Sequence, residues 1–180
     1  MSLSEKMQQA IGIIPSHTHA EREEIRAEAK KNATTTWFNL ILDHHAEIER
    51  TFDEVKDAKS LSIRIEAQKQ LMALLTGHAI AEEAIVYPFM KIDTSARDAM
   101  HASAEQALAK MEMVALDEIA DKMSQAYEIK LDEIRMAVVH HMIEEERDFF
   151  PELQSKADGV ENSKITKQYK TEFNRYMPAA

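Results

Sequence analysis

Cysteine is absent from this chain of 180 residues, which also has only three glycines and four prolines. Without thiols there are no disulfides, iron–sulfur clusters or thiolate zinc sites, so any bound metal must be held by nitrogen and oxygen. The scarcity of glycine and proline leaves few points at which a helix would break, and no segment alternates apolar and polar residues as a strand does. Apolar runs last only a few residues, far short of the roughly 20 that span a bilayer, so no membrane span is expected. The formal net charge of −10 and the lack of a basic patch argue against nucleic-acid binding. The opening residues, Met-Ser-Leu-Ser-Glu-Lys, lack the basic and apolar stretches of a secretory signal, and a cytoplasmic location is expected.

What is abundant is Ala, Glu, Lys, Leu, Met and Gln, the composition of long helices, in a length suited to one domain. Four segments carry a helical apolar stripe. The first follows Thr34-Thr35-Thr36 and places Phe38, Ile41, His45, Ile48, Phe52 and Val55 on one face. The second starts near Ser60, with Ala67, Leu71, Leu75, His78, Glu82 and Ile85. The third follows Asp93-Thr94-Ser95, with His101, Ala104, Leu108, Met111 and Ala115. The fourth is capped near Asp121 or Ser124, with Tyr127, Leu131, Ile134, Val138, His141, Glu145 and Phe149. Short connections make neighbouring helices antiparallel, so the expected fold class is all-α.

The flanks differ from this core. Residues 1–33 form an expected polar helical arm, opened by a capping box from Thr18 to Glu21 and too polar to bury much. Residues 34–155 form the bundle. Residues 156–180 contain an amphipathic helix with Ile165, Tyr169 and Phe173 on one face, which docks either on the bundle or on a second subunit to form a homodimer.

The richest signal is an internal repeat. His78-Ala-Ile-Ala-Glu82-Glu83-Ala-Ile-Val-Tyr87-Pro88 and His141-Met-Ile-Glu-Glu145-Glu146-Arg-Asp-Phe-Phe150-Pro151 both read H-x3-E-E-x3-[Y/F]-P. Positions i and i+4 share a helix face, so each repeat offers an imidazole and a carboxylate to one point. His101 and Glu105 have the same spacing, with Glu105 at the edge of its stripe, where it is either a ligand or a solvated or supporting residue. A lone histidine on an apolar face is commonly a hydrogen-bonded core residue. Four of them, with His78–Glu82, His101–Glu105 and His141–Glu145 paired at i and i+4, put several carboxylates near a core, where unpaired charges cost several kcal/mol each and divalent cations would offset that cost. Periodicity favours His45 over His44 and His141 over His140 as the inward member of each tandem pair. Tyr87 and Phe150, each before a helix-breaking proline, are expected to cap the core at one end. Gly77, beside His78, marks either a close approach or a tolerated substitution. The Glu-x-x-His signature of ferritin-like oxidases is absent.

With these elements in this order, the chain resembles the hemerythrin-like HHE cation-binding domains over roughly residues 34–155. The resemblance rests on His45-Ala-Glu-Ile, on the two repeats and on His101-x3-Glu105. It implies an up-down-up-down four-helix bundle, here with extra N-terminal and C-terminal helical segments, and a non-heme di-iron centre with two oxo- or hydroxo-bridged ions per chain. Carried over residue by residue, it makes His45, His78, His101 and His141 terminal ligands and Glu82 and Glu145 bridges; Glu105 joins the candidate ligands through its own i+4 spacing from His101. Oxygen carriers of the family have a second histidine where this chain has Glu105, and they use the i+5 position, here Glu146, rather than Glu145, which leaves open which of these two glutamates bridges. The resemblance therefore implies a protein that binds or reacts with O2, peroxide or nitric oxide. The alternative is a non-catalytic iron sensor or store with metal-dependent stability.

Overall fold

The structure, a computed structural model, describes residues 17–177; the first part of the expected N-terminal arm and the last three residues of the C-terminal segment lie outside the described residues. Its helices are α1 (His19–Asn32), α2 (Thr36–Asp57), α3 (Leu61–Ala81), α4 (Tyr87–Asp93), α5 (Ala96–Glu118), α6 (Gln125–Glu144), α7 (Phe150–Lys156) and α8 (Gly159–Asn174). A π-helical turn joins α3 to α4 (Glu82–Val86), and another joins α6 to α7 (Glu145–Phe149). Among the described residues there is no strand. Helices α2, α3, α5 and α6 form an up-down-up-down four-helix bundle, with α1 and α8 as additional segments.

Capping defines where the helices start. The hydroxyls of Ser60, Ser95 and Ser124 accept from the amides of Ile63, Asp98 and Tyr127, and Thr18 forms the expected capping box with Glu21. The π turns have a covalent cause. Pro88 and Pro151 carry no amide hydrogen, and the residue before each bonds five positions back, Tyr87 N–H to Glu82 and Phe150 N–H to Glu145. The helix is widened at these prolines and continues beyond them.

Two apolar clusters fill the bundle. One gathers Trp37, Phe38, Ile41, Tyr87 and Phe150, and the other gathers Ile48, Phe52, Leu71, Tyr127 and Ile134. Trp37 is fully buried, edge-on to Phe150, and its indole N–H donates to Asn162 Oδ1 at 2.7 Å. Burying a large side chain of this kind contributes about 1.5–3 kcal/mol. The histidines and carboxylates lie where the two clusters meet: His45 falls between Leu42 and Ile48, and His78 between Leu74 and Ala81.

The third stripe departs from expectation. Ala104 and Met111 are exposed, and the buried line of α5 is Ala99, Ala102, Glu105, Gln106, Met113 and Leu116. An Ala- and Met-rich helix offers two apolar lines, and the one turned inward also carries the polar pair Glu105 and Gln106, which face the bundle's other polar side chains. Glu105 is thus buried and His101 sits at the flank, the reverse of the expected arrangement.

Helix α1 keeps most of its surface in water but does not stand free of the bundle. Ala29 is buried, and Arg22 and Arg26 reach inward to the buried carboxylates of Glu49 and Glu146. The apolar face of α8 lies on the bundle, with Ile165 and Tyr169 fully buried, which is the first of its two expected placements. Gly77 marks a close approach. A Cβ there would stand 3.2 Å from Tyr176 Cβ and 2.9 Å from Met177 Cε, just beyond the end of α8.

Candidate metal centre

Each of the four bundle helices brings an imidazole to the junction between the clusters. His45 of α2 and His78 of α3, with Glu82 and Glu145 from the starts of the two π turns, form a wholly buried group whose nearest donor atoms lie within 4.8 Å of one another. His101, Glu105 and Glu144 form a second group with the same spacing limit, more open because His101 and Glu144 are only partly buried. His141 lies between them, its Nδ1 2.9 Å from Glu105 Oε2 and its Nε2 3.3 Å from Glu145 Oε1. Glu145 reaches both ways, since its Oε2 is 3.3 Å from His45 Nε2. All seven residues expected at the site are therefore at this junction, with His101 at its rim.

The orientation of the two most buried rings follows one rule. His45 Nδ1 is held by Glu146 Oε1 at 2.9 Å, and His78 Nδ1 by the Tyr169 hydroxyl at 3.1 Å. In both rings the anchored nitrogen turns Nε2 toward the carboxylates. Those two Nε2 atoms, with Glu82 Oε1, Glu105 Oε1 and Glu145 Oε2, are buried without a hydrogen-bond partner. Unpartnered buried donors and acceptors of this kind are costly, and each is of a type that ligates a divalent or trivalent cation. Anchoring of the distal ring nitrogen by a carboxylate or hydroxyl is how proteins orient metal-binding histidines. The donor set fits a metal.

Electrostatics tell the same story. Burial pushes the Glu82 carboxyl well above its usual range, with Glu145 adding to the effect, while burial and the neighbouring His45 hold the His78 imidazole well below its ordinary value. Burial also acts to lower His45 and His141, but it is outweighed by Glu145 and Glu146 for the first and by Glu145 and Glu105 for the second, so both are raised. Glu145 is lowered despite its burial, through His141 and His45. Without a cation, the raised values of His45, His141 and Glu82 favour bound protons in the cluster.

Several residues take roles in the site that the sequence did not assign. The Tyr87 hydroxyl donates to Glu145 Oε1 at 2.7 Å and lies 3.3 Å from His141 Nε2, so Tyr87 joins the site as well as the core. Gln106 donates to Glu82 Oε2 at 2.6 Å and to the Tyr87 hydroxyl at 2.7 Å. Glu144 belongs to the rim group, and Glu146 supports His45 from outside the cluster. The H-x3-E-E repeat contained a signal for this last role, since both of its adjacent glutamates are conspicuous there. His44 turns away to Tyr169, whose hydroxyl is 2.8 Å from its Nδ1, and stacks on Phe173 at 3.8 Å between ring centroids. His140 Nε2 faces Glu144 at 3.7 Å.

An all-helical bundle with imidazoles and carboxylates converging at mid-length defines a class of cation-binding helical proteins. The model of the hemerythrin HHE cation-binding domain matches residues 37–153, and the chain belongs to that family. No curated protein and no solved structure matches the chain. Among the described residues no helix is long and apolar enough to cross a membrane.

Proposed function

We propose that the chain holds two iron ions and binds or reacts with O2, peroxide or nitric oxide. His45, His78, Glu82 and Glu145 would hold one ion, and His101, Glu105 and His141 the other, with Glu145 and Glu82 shared. The observation that carries this reading is the set of buried, unpartnered ring nitrogens and carboxylate oxygens turned toward one another. When bound, the iron pair supplies a centre that takes up a small molecule and exchanges electrons with it.

The chain's own residues shape that chemistry. Glu146 and Tyr169 fix the rings of His45 and His78 so that Nε2 faces inward. For His78 this requires its Nδ1–H to donate to Tyr169, leaving the Tyr169 hydroxyl to donate to His44. Burial and the carboxylates of Glu145 and Glu82 push the Tyr87 phenol well above its usual range, so it keeps its proton and stays a hydrogen-bond donor inside the site. Glu105 adds a negative charge where oxygen carriers of the resembling family have a neutral ring. That charge favours the oxidised metal and therefore reaction over reversible carriage.

An iron sensor or store remains the second reading, favoured by one observation: hydrogen bonds tie α1 to His45 through Glu146 and α8 to His78 through Tyr169. Turnover separates the two. Iron-reconstituted protein should contain about two ions per chain, in line with the usual four to six donors per ion and sharing of carboxylates, and should consume peroxide or O2. One ion or none overturns the di-iron reading, and metal-dependent stability without turnover favours the sensor.

A further inference from the structure

A cavity of about 220 Å³ opens between α3, α5 and α6 and ends against the candidate metal centre. Its walls are Leu75, Ala109, Val138 and the three methionines Met72, Met113 and Met142, and Val114 and Lys110 stand at its mouth. At the inner end are His78, Glu105, Gln106 and His141. The size matters. A water or diatomic molecule needs roughly 30 Å³, whereas a dry aliphatic cavity of about 150 Å³ takes up benzene. Methionine walls adapt to the outline of an occupant. The Lys110 ammonium is held by both Glu83 oxygens at 2.7 Å, so the mouth does not present a free cation to an anionic ligand.

The inner end is selective in another way. Gln106 spends its amide hydrogens on Glu82 and Tyr87, while its Oε1 is buried and has no partner. That oxygen, like Glu105 Oε1 and His78 Nε2, exposes no surface to the cavity, so a polar group that entered would lose its water without compensation.

We infer that this cavity binds a compact, apolar organic molecule of about one ring, seated among Leu75, Ala109, Val138 and the three methionines. The inference names the class of molecule that reaches the centre proposed above, and it rests on that reading only for the metal beside the ligand.

Phenol and benzene are the probes, titrated into the full chain as purified and again after loading with zinc, whose diamagnetic ion keeps methionine methyl resonances sharp. The methyl signals of Met72, Met113 and Met142 should shift and saturate, while those of the exposed Met100 and Met136 stay fixed. Benzene should bind more tightly than phenol, because the phenol hydroxyl would lose its water without compensation. A cavity with an open acceptor gives the opposite order, by about fivefold for one net hydrogen bond. Ala109→Leu and Ala109→Phe should weaken binding in order of size, the smaller change guarding against a variant that fails to fold. Fixed methyl signals, phenol preferred over benzene, or plugs without effect would each overturn the inference. Metal content read on the same samples keeps the two readings apart: a chain that takes benzene but no metal supports the cavity and sinks the centre, and one that holds metal but ignores both probes does the reverse.

Discussion

Glu146 stands behind His45, its Oε1 2.9 Å from the ring Nδ1, while the opposite ring nitrogen faces Glu145. The same glutamate oxygen accepts from Arg26 Nε at 2.9 Å, and Arg26 also binds Glu49 Oε1 at 2.5 Å, beside Arg22 at 2.7 Å from Glu49 Oε2. The charges run from the N-terminal helix to the ring that faces the candidate centre. Glu146→Gln should lower metal affinity about 10–100-fold, the effect usual for partners that orient metal-binding histidines. Arg26→Ala leaves Glu146 and Glu49 short of a cation in a buried setting and should cost about 3 kcal/mol of stability. Denaturant unfolding and metal titration of the two variants check this. Normal metal affinity in Glu146→Gln would mean that His45 needs no support from behind.

The tandem histidines should separate cleanly. His45→Ala and His141→Ala each remove a ring that faces buried carboxylates, and both should lose metal and the stability that metal confers. His44→Ala gives up a stack on Phe173 and a bond to Tyr169 but no donor atom of either group, so it should lower the melting temperature by a few degrees, about 1 kcal/mol, and keep the metal. Metal analysis after purification decides, and equal loss from His44→Ala and His45→Ala would contradict the orientation of α2.

Much of this was legible in the chain itself, and the reasons it stopped are physical. His45, His78, Glu82, His141 and Glu145 sit on stripes whose apolar members are bulky and leave one face to choose. Helix α5 gave no such choice, because Ala104, Leu108 and Met111 make a line as apolar as Ala99, Ala102 and Met113. The Tyr87 hydroxyl, Gln106 and Tyr169 enter the site across the bundle from other helices, and no local spacing encodes that. The docking of α1 was hidden for a similar reason: its inward groups are arginines, which read as a solvated face until Glu49 and Glu146 are found buried opposite them.

Acidity should act in opposite directions on metal-free and metal-loaded protein. His45 and His141 are raised above their unfolded value, so the stability they contribute is fully present below about pH 6.5 and is lost as pH rises through the folded values. Glu82 is raised as well, and its ionisation in the buried cluster costs further stability as pH rises. The depressed His44, held at about 4 by burial and the adjacent His45, changes charge only below the unfolded value and takes no part in this window. Metal replaces the protons, so its affinity rises with pH. The gap in melting temperature between loaded and metal-free protein should widen from about pH 6.5 to about pH 8.5. A gap that narrows over that range would show that protons and metal do not compete at these residues.

Glu105 decides what kind of chemistry the centre supports. Its carboxylate is buried, with Oε2 bound to His141 Nδ1 at 2.9 Å and Oε1 unpartnered among the donors of the rim group. If that free oxygen binds iron, the added negative charge stabilises the oxidised pair, and reduced protein should be oxidised on meeting O2 or peroxide rather than releasing O2 intact. Glu105→His keeps a donor while removing the charge, so both ions should stay bound, the reduction potential should rise and reoxidation should slow. Glu105→Gln serves as a control: it also removes the charge and offers only a weak amide oxygen, so it should lose iron from the rim group where the histidine variant does not. Stopped-flow reoxidation, potentiometry and iron content measured together on the three proteins separate charge from ligand loss. Identical kinetics and potential in the parent and Glu105→His would place Glu105 outside the reach of the metal, and the argument from its charge to reactivity would then have no footing.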